Sequence, residues 1–531
     1  YEPLQQYLID IGEGRLQCLQ VTWDTKNRRW YHIQPDRITA DDPLHWTGMQ
    51  FNANFMCIEC HVTGFERKYD KATNGYASSW HGIDVGCQAC HGPGSAHVAW
   101  AEGDTSIPGM GLMVRFKGAD APTQVDSCAR CHARRVHVSD GAHHGHGEPL
   151  LDHMAARLLV EPLYHADGQI LDEVYVYGSF LQTKKYHRGV RCTDCHDAHS
   201  SRLKHEGNAM CVQCHQEQPD ERFPTLRKAA YDTPAHHFHK PGTPGSNCVD
   251  CHMPATTYMG VDPRRDHSFR VPRPDLTIRI GTPNACNGCH QDKSPQWALK
   301  EIDKRFPLYT RGRVAAGHYG LAFAAARAGA PNAFDELARL ALEQAEPAIV
   351  RATAAHYLQR FEPSKAVRAL APVLVDPDGL VRATAAGAIG RLVPPNAPPG
   401  LQQQKVHVLE RLLRDPLRHV RGEAARALAG AAERQIPDGY RADFDRALDE
   451  WIESQRAFED RPAPLLNLGA LHEARGQSKD AEAAYRRALE VDPRFTPARF
   501  NLSRVLASRG ALDEAEKVIE VATTQQPENG E

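Results

Sequence analysis

Residues 192–199 read CTDCHDAH: Cys192 and Cys195 separated by two residues, His196 directly after them, and His199 three further on. Two thiols at this spacing can add to the two vinyl groups on one edge of a porphyrin. The next side chain then turns beneath the ring and offers its imidazole to iron, which is the c-type haem attachment sequence. Outward in both directions the same unit returns at Cys57/Cys60/His61, Cys87/Cys90/His91, Cys128/Cys131/His132, Cys211/Cys214/His215, Cys248/Cys251/His252 and Cys286/Cys289/His290. CxxC pairs also build zinc sites or disulfide frameworks. Histidine is about one residue in eighteen of this chain, so its place after all seven pairs is not chance, and zinc sites do not require it there. Seven covalently attached c-type haems are expected. Cys18, the fifteenth cysteine, falls outside the scheme and is read as an inert buried thiol.

The rest of the composition divides the chain. All fifteen cysteines and twenty-four of the twenty-nine histidines precede residue 295, and the remainder is rich in Ala, Leu, Arg and Glu. Seven haems over about 295 residues leave about 42 residues for each, too few to wrap each in its own apolar core, so the haems must form much of the core themselves. A loop-rich heptahaem domain is expected over residues 1–300, punctuated by turns such as GPGS at 92–95 and PGTPG at 241–245.

From about residue 306 the pattern becomes helical. Glu346-Pro347 before VRATAA at 350–355 returns as Asp376-Pro377 before VRATAA at 381–386 and as Asp415-Pro416 before VRGEAA at 420–425. An acid and a proline break the chain between helices, and the small residues let helices approach, as in HEAT-type repeats. Farther on, a period of 34 takes Asn467-Leu468 to Asn501-Leu502, Arg475-Gly476 to Arg509-Gly510, Ala481-Glu482 to Ala515-Glu516 and Pro493 to Pro527, the tetratricopeptide period. The expected fold class is mainly α: a haem domain, HEAT-like repeats over 306–435 and tetratricopeptide repeats over 436–531, the two repeat sets joined through a helix near 441–457. The solenoid is either a stabilising cap or a docking surface for a partner protein.

Attachment alone does not separate a wire from an enzyme; the second axial ligand does. Beyond the seven motif histidines, seventeen remain in the N-terminal part. His199 lies too close to His196 to reach the far face of the same haem and should cap a neighbour, as should His97. Further candidates are His45, His153, His165, one of His236, His237 and His239, and His267, which makes seven for seven irons. His143, His144 and His146 read as an exposed, Gly-flanked loop, and His32, His81, His137, His187 and His205 are left without a role. None of the eight methionines stands out as a ligand.

A carrier needs every iron six-coordinate, whereas a reductase or oxidase of a small nitrogen or sulfur compound needs one open iron with Lys, Tyr or His beside it. No CxxCK motif, the mark of one kind of nitrite-reducing haem, is present. Electron transfer between redox partner proteins is the leading expectation, with extracellular electron transfer or assembly into a homo-oligomer or filament as variants. A net charge of −3 implies no general affinity for nucleic acid or anionic membrane. No apolar run reaches 18 residues, so no transmembrane segment is expected. The sequence opens at Tyr1 without a leader, as a processed mature protein would, and c-type haem attachment outside the cytoplasm implies export to the periplasm, the cell surface or beyond.

The stretches LHWTGMQFNANFMCIECH, VGCQACHGPGSAH, LYHADGQILDEVYVYGSF, GVRCTDCHDAHS, NCVDCHMP, DPRRDHSFRVPRPDL and GTPNACNGCH, followed by tetratricopeptide repeats, resemble a bacterial family of multihaem cytochromes c with C-terminal repeats. That family is grouped near the tetrahaem cytochrome c of ammonia oxidisers. The resemblance covers nearly the whole chain and implies mostly bis-histidine irons; it implies no substrate. His45, His97, His165, His199 and His267 lie inside the resembling stretches, whereas His153, His81 and the 143–146 cluster do not.

Overall fold

A computed structural model describes residues 2–36, 39, 42, 44–139, 145–306 and 308–525. His143, His144 and the repeat proline Pro527 lie outside the described residues. The chain forms two compact units, neither continuous in sequence: Tyr1–Arg115 with His137–Ala155 and Pro363–Glu531, and Phe116–Val136 with Ala156–Glu362. Two CxxCH motifs fall in the first unit and five in the second.

In the first unit, Leu4–Gln5, Val21–Asp24 and Arg29–His32 form an antiparallel sheet with Val21–Asp24 in the middle, and Leu8–Asp10 pairs with Leu16–Cys18. Two asparagines join this β layer to the first motif. The Asn52 side chain caps the helix Ala53–Met56 by accepting from the Asn54 amide. The buried Asn54 side chain accepts from the Leu16 amide at 2.9 Å and donates to Ser78 Oγ at 2.9 Å. Each of these groups thus finds a partner, as burial requires.

The HEAT-like signature is explained by what its arginine does. Arg382 donates to the Asp376 carbonyl at 2.8 Å, closing its own interhelical turn, and forks onto Asp415 of the next repeat at 2.8 and 3.0 Å. Arg421 repeats the device on the Pro416 carbonyl at 2.8 Å and on Glu450 at 2.6 and 3.1 Å. One planar, five-donor side chain caps carbonyls and fixes repeat spacing together. The helices Gly379–Leu392 and Arg418–Leu428 approach so closely that a Cβ on Gly390 would stand 2.7 Å from that of Ala427.

The period of 34 appears as two helical hairpins, Pro462–Ala474 with Ser478–Val491 and Thr496–Ser508 with Leu512–Gln525. Gly476 and Gly510 turn them in the left-handed region at φ +75° and +81°. Tyr485, Leu502, Val505 and Leu506 are buried between them, with Tyr485 filling the space that Gly469 leaves. The expected joining helix is Asp438–Arg456.

Directly after it, residues 457–461 pack on the first haem motif. Arg67 donates to the Ala457 carbonyl at 2.5 Å and pairs with the fully buried Asp460 carboxylate at 3.6 Å, which also accepts from Tyr76 at 3.2 Å. Arg461 donates to the Phe55 carbonyl at 2.9 Å. His137 reaches Glu59, inside the first motif, at 3.2 Å and stacks on Phe458.

In the second unit the helices Tyr319–Arg327, Ala333–Leu342 and Ala348–Leu358 enclose Phe323, Leu337, Ile349 and Tyr357. They hold the segment 159–182 by its backbone: Leu159 donates to Thr353 Oγ1, Arg327 to the Leu159 carbonyl and Tyr319 to the Asp167 carbonyl. Gly178 lets Tyr164 pack beneath it, since a Cβ there would lie 2.3 Å from the Tyr164 hydroxyl. These bonds turn a segment with little regular structure into a rigid support for the motifs around it. The chain is mainly α, with few short strands and a helical C-terminal region.

Candidate haem-binding sites

Short helices carry most of the motifs. Cys87–His91 and Cys248–His252 are each little more than one turn, and Cys128, Cys131 and His132 end the helix Ala121–His132. Residues three and four apart share a helix face, so one turn presents both thiols and the imidazole to the same side. The helix Ala121–His132 is fixed by Asp120, which caps it through the Thr123 amide at 2.9 Å.

The attachment residues differ in exposure. Cys87 and Cys90 of the second motif and Cys289 of the seventh are exposed, as is His61 of the first. The reason is local. Cys87–His91 and Ala285–Cys289 are single turns with no buried residue, so Cys90 and Cys289 stand at the chain's surface instead of against apolar neighbours.

Within the second unit the five motifs form a row. The Gln124 side chain accepts from both the amide and the hydroxyl of Thr193, at 3.1 and 2.9 Å, tying the third motif to the fourth, and Cys128 and Cys192 hydrogen-bond to each other. Burial raises the Cys195 thiol, with the thiols of Cys211 and Cys214 adding to it, so the fourth and fifth motifs are within electrostatic reach. Asn208 clamps the fifth to the sixth, accepting from the Cys248 amide at 2.8 Å and donating to the Ser246 carbonyl at 3.0 Å. A Cys211–Cys248 hydrogen bond holds the Cys211 thiol down at about 7. Burial, then Cys286, pushes Cys251 up to about 11, with Cys289 adding to it, which links the sixth motif to the seventh. In the first unit Thr63, three residues past Cys60, accepts from Gly86, just ahead of Cys87, at 2.7 Å.

Three motif histidines face a second imidazole. His196 and His267 have ring centres 6.3 Å apart at 23°, His252 and His236 are 6.2 Å apart at 13°, and His290 and His239 are 6.1 Å apart at 26°. A metal–imidazole bond of about 2.0 Å on each side, plus about 1.1 Å from ring nitrogen to ring centre, separates two rings sharing one metal by about 6 Å. The three pairs have that spacing and near-parallel planes. Several rings are also oriented for it. Nδ1–H donates to a backbone carbonyl in His91 (Val114, 2.8 Å), His97 (Met110, 2.7 Å), His252 (Arg270, 2.6 Å), His267 (Arg265, 2.9 Å) and His239 (His237, 2.5 Å). Since a carbonyl can only accept, the tautomer is fixed and Nε2 is the nitrogen left for a metal. Burial lowers the pKa of His132, His196, His252 and His267, favouring the neutral ring that binds metal. Among the described residues no three His, Cys, Asp or Glu side chains gather as a bare-ion site. At three motifs the imidazoles come in twos, the number of donors iron would need where a porphyrin supplied the other four, so these residues fit c-type haem.

The remaining candidates have other neighbours. His45 bonds Thr47 Oγ1 through Nδ1 at 2.8 Å, and His97 stacks on Trp100. His153 engages the Glu148 carboxylate through Nε2 at 2.7 Å, the nitrogen that His97, its Nδ1 tied back, keeps for a metal. His165 sits in the turn closed by its bond to Gln169, and His199 is exposed beside Asp197. His237 accepts from the His239 amide through Nδ1 at 3.2 Å. The sequence reading asked for one ligand from PAHHFH; the structure brings two of its histidines, His236 and His239, each to a different motif histidine.

His215 faces a different group. Lys185 Nζ stands 3.0 Å from its Nε2, and the ring of Tyr231 meets it edge-on at 6.0 Å. Burial, then Lys185, pushes the His215 pKa down to about 4. An open surface depression lies beside this ring, bounded by Val212 and residues 215–218 and 230–233. Sequence reasoning missed Lys185, because nothing in TKKYH marks a lysine for an imidazole thirty residues away.

Comparison with known families agrees with this arrangement. Cytochrome c554 and c-prime matches residues 23–92, the doubled CXXCH motif residues 185–220, and cytochrome c552 residues 226–379. HEAT repeats match residues 335–429, overlapping the last of these, and the tetratricopeptide repeat matches residues 466–530. No curated protein and no solved structure matches the chain. Two cytochrome c families and a doubled CXXCH motif over the cysteine-rich part, followed by two repeat families over the helical part, make this chain a multihaem cytochrome c with C-terminal HEAT and tetratricopeptide repeats.

Proposed function

We propose that each of the seven CxxCH motifs holds one c-type haem and that the protein carries electrons between redox partner proteins along them. The bound haem supplies reversible one-electron iron chemistry. The chain attaches it through Cys57/Cys60, Cys87/Cys90, Cys128/Cys131, Cys192/Cys195, Cys211/Cys214, Cys248/Cys251 and Cys286/Cys289. It ligates the iron through His61, His91, His132, His196, His215, His252 and His290. His267, His236 and His239 are the second ligands at the fourth, sixth and seventh motifs; His45, His97, His153, His165 and His199 are the pool for the first, second and third. The observation that carries the reading is the row of motifs tied in succession from the third to the sixth by the side chains of Gln124, Gln213 and Asn208, with three imidazole pairs at one-metal spacing along it.

The haem-bearing region is residues 1–300, followed by HEAT-like repeats over 306–435 and tetratricopeptide repeats over 436–531. The packing of residues 457–461 on the first motif favours a bracing role for that part of the repeats. Among the described residues no helix is long and apolar enough to cross a membrane. Because c-type haem is attached outside the cytoplasm, we place the protein in the periplasm, at the cell surface or beyond. Intact mass under denaturing conditions, with an iron assay, should give seven haems per chain. Electron paramagnetic resonance of the oxidised protein should show only low-spin iron. Fewer haems, or a stoichiometric high-spin signal, would overturn the carrier reading.

A further inference from the structure

We propose that the Lys185 amine is the second axial ligand of the iron held at Cys211, Cys214 and His215, giving this haem a histidine–lysine pair between neighbours that have two histidines. The proposal rests on haem attachment at this motif.

At the fourth, sixth and seventh motifs the group facing the motif histidine is an imidazole at about 6 Å between ring centres. At the fifth it is the Lys185 amine, 3.0 Å from His215 Nε2. Two metal–nitrogen bonds need about 4 Å between donors. The extra ångström lies within reach of a four-carbon stem with freely rotating bonds. The root of that stem is held. Lys185 lies in the helix Lys184–His187, whose N-terminus Thr183 caps through the Tyr186 amide at 3.1 Å. Its amine sits 4.8 Å from the centre of the Phe269 ring, and that ring lies 5.9 Å from His267, so one lysine occupies the space between the fourth and fifth motifs.

The competing donors are accounted for. Tyr231 presents a ring edge to His215 at 89°, and its hydroxyl donates to the Arg227 carbonyl at 3.1 Å. His236, next along, stacks on His252. Coordination moves no electrons: the ammonium gives its proton to solvent and the amine lone pair forms the metal bond. A flexible amine is easier to displace than an imidazole whose Nδ1 is tied to a backbone carbonyl.

The test uses the full-length oxidised holoprotein. Near-infrared magnetic circular dichroism separates imidazole–imidazole from imidazole–amine iron by the energy of a charge-transfer band. The wild type should show one imidazole–amine haem. Lys185→Ala should convert one haem to high spin, Lys185→His should return it to low spin with a second imidazole, and added free imidazole should do the same to Lys185→Ala. A wild-type spectrum with only imidazole–imidazole bands, or a folded Lys185→Ala protein with unchanged spin state, would overturn the proposal. If Lys185→Ala fails to fold, the wild-type spectrum decides alone. Intact mass distinguishes these outcomes from failed attachment, because loss of haem at Cys211 and Cys214 lowers the mass by a whole haem and Lys185 substitution does not.

Discussion

Replacing His267 tests the ligand assignment most directly. Its ring faces His196 at 6.3 Å, and its Nδ1–H bond to the Arg265 carbonyl, 2.9 Å, fixes the orientation. His267→Ala removes one of two axial donors and leaves Cys192 and Cys195 untouched. Covalent haem content should hold while one haem in seven turns high-spin. His267→Met keeps six-coordination but exchanges imidazole for thioether, which favours the reduced iron. A rise on the order of 0.1 V is expected, a modest part of the about 0.8 V that axial ligands command. At about 59 mV per tenfold for one electron, that makes the haem about fifty times harder to oxidise. The fourth motif is tied to the third through Thr193 and Gln124 and to the fifth through Gln213 on the Asp194 carbonyl, so an electron well at this point should slow transfer along the row. Spectroelectrochemical titration with electron paramagnetic resonance reads both effects. A His267→Ala protein with all haems low-spin and every potential unmoved would refute the assignment.

Three other outcomes follow from the packing. His318 caps the helix Tyr319–Arg327 through the Gly320 amide at 3.0 Å, and burial, then the Arg270 guanidinium, hold its pKa down at about 3 against 6.5. Below about pH 6.5 the unfolded chain takes up the proton first, so stability falls by about 1.4 kcal/mol per pH unit toward pH 3. His318→Asn, which caps without titrating, should flatten that slope in circular-dichroism melts between pH 7 and 4. Asp460→Ala leaves Arg67 and Arg461 without their buried carboxylate and should cost about 3–5 kcal/mol, read as a lowered unfolding transition. Gly390→Val drives a side chain into Ala427 and should cost about 1–3 kcal/mol in denaturant unfolding, with the haem absorption spectrum unchanged.

The motifs were legible because covalent attachment demands contiguous residues: two thiols and an imidazole within five positions. Their burial was not, since spacing places Cys90 and Cys289 on a turn but says nothing of what lies over it, and both are exposed. The repeats were legible because a helical period and a recurring arginine leave a linear trace, and Arg382 and Arg421 show what that arginine is for. The imidazoles that face the motif histidines were only partly legible. His267 and the PAHHFH cluster could be nominated from sequence, but the partner of each could not, since an axial ligand needs only a nitrogen in place and chain separation is irrelevant to that. Cys18 shows the same boundary. It is buried as expected, yet its sulfur lies 3.8 Å from that of Cys57, a neighbour no spacing rule names.

The sequence by itself determined that this chain is a multihaem c-type cytochrome with helical repeats, because both properties are written in local spacing. Only the tertiary structure decided that five motifs form one row, that His196, His252 and His290 face His267, His236 and His239, and that His215 faces Lys185. Those are contacts across tens of residues, fixed by side-chain hydrogen bonds such as those of Gln124 and Asn208, and a linear pattern carries no record of them.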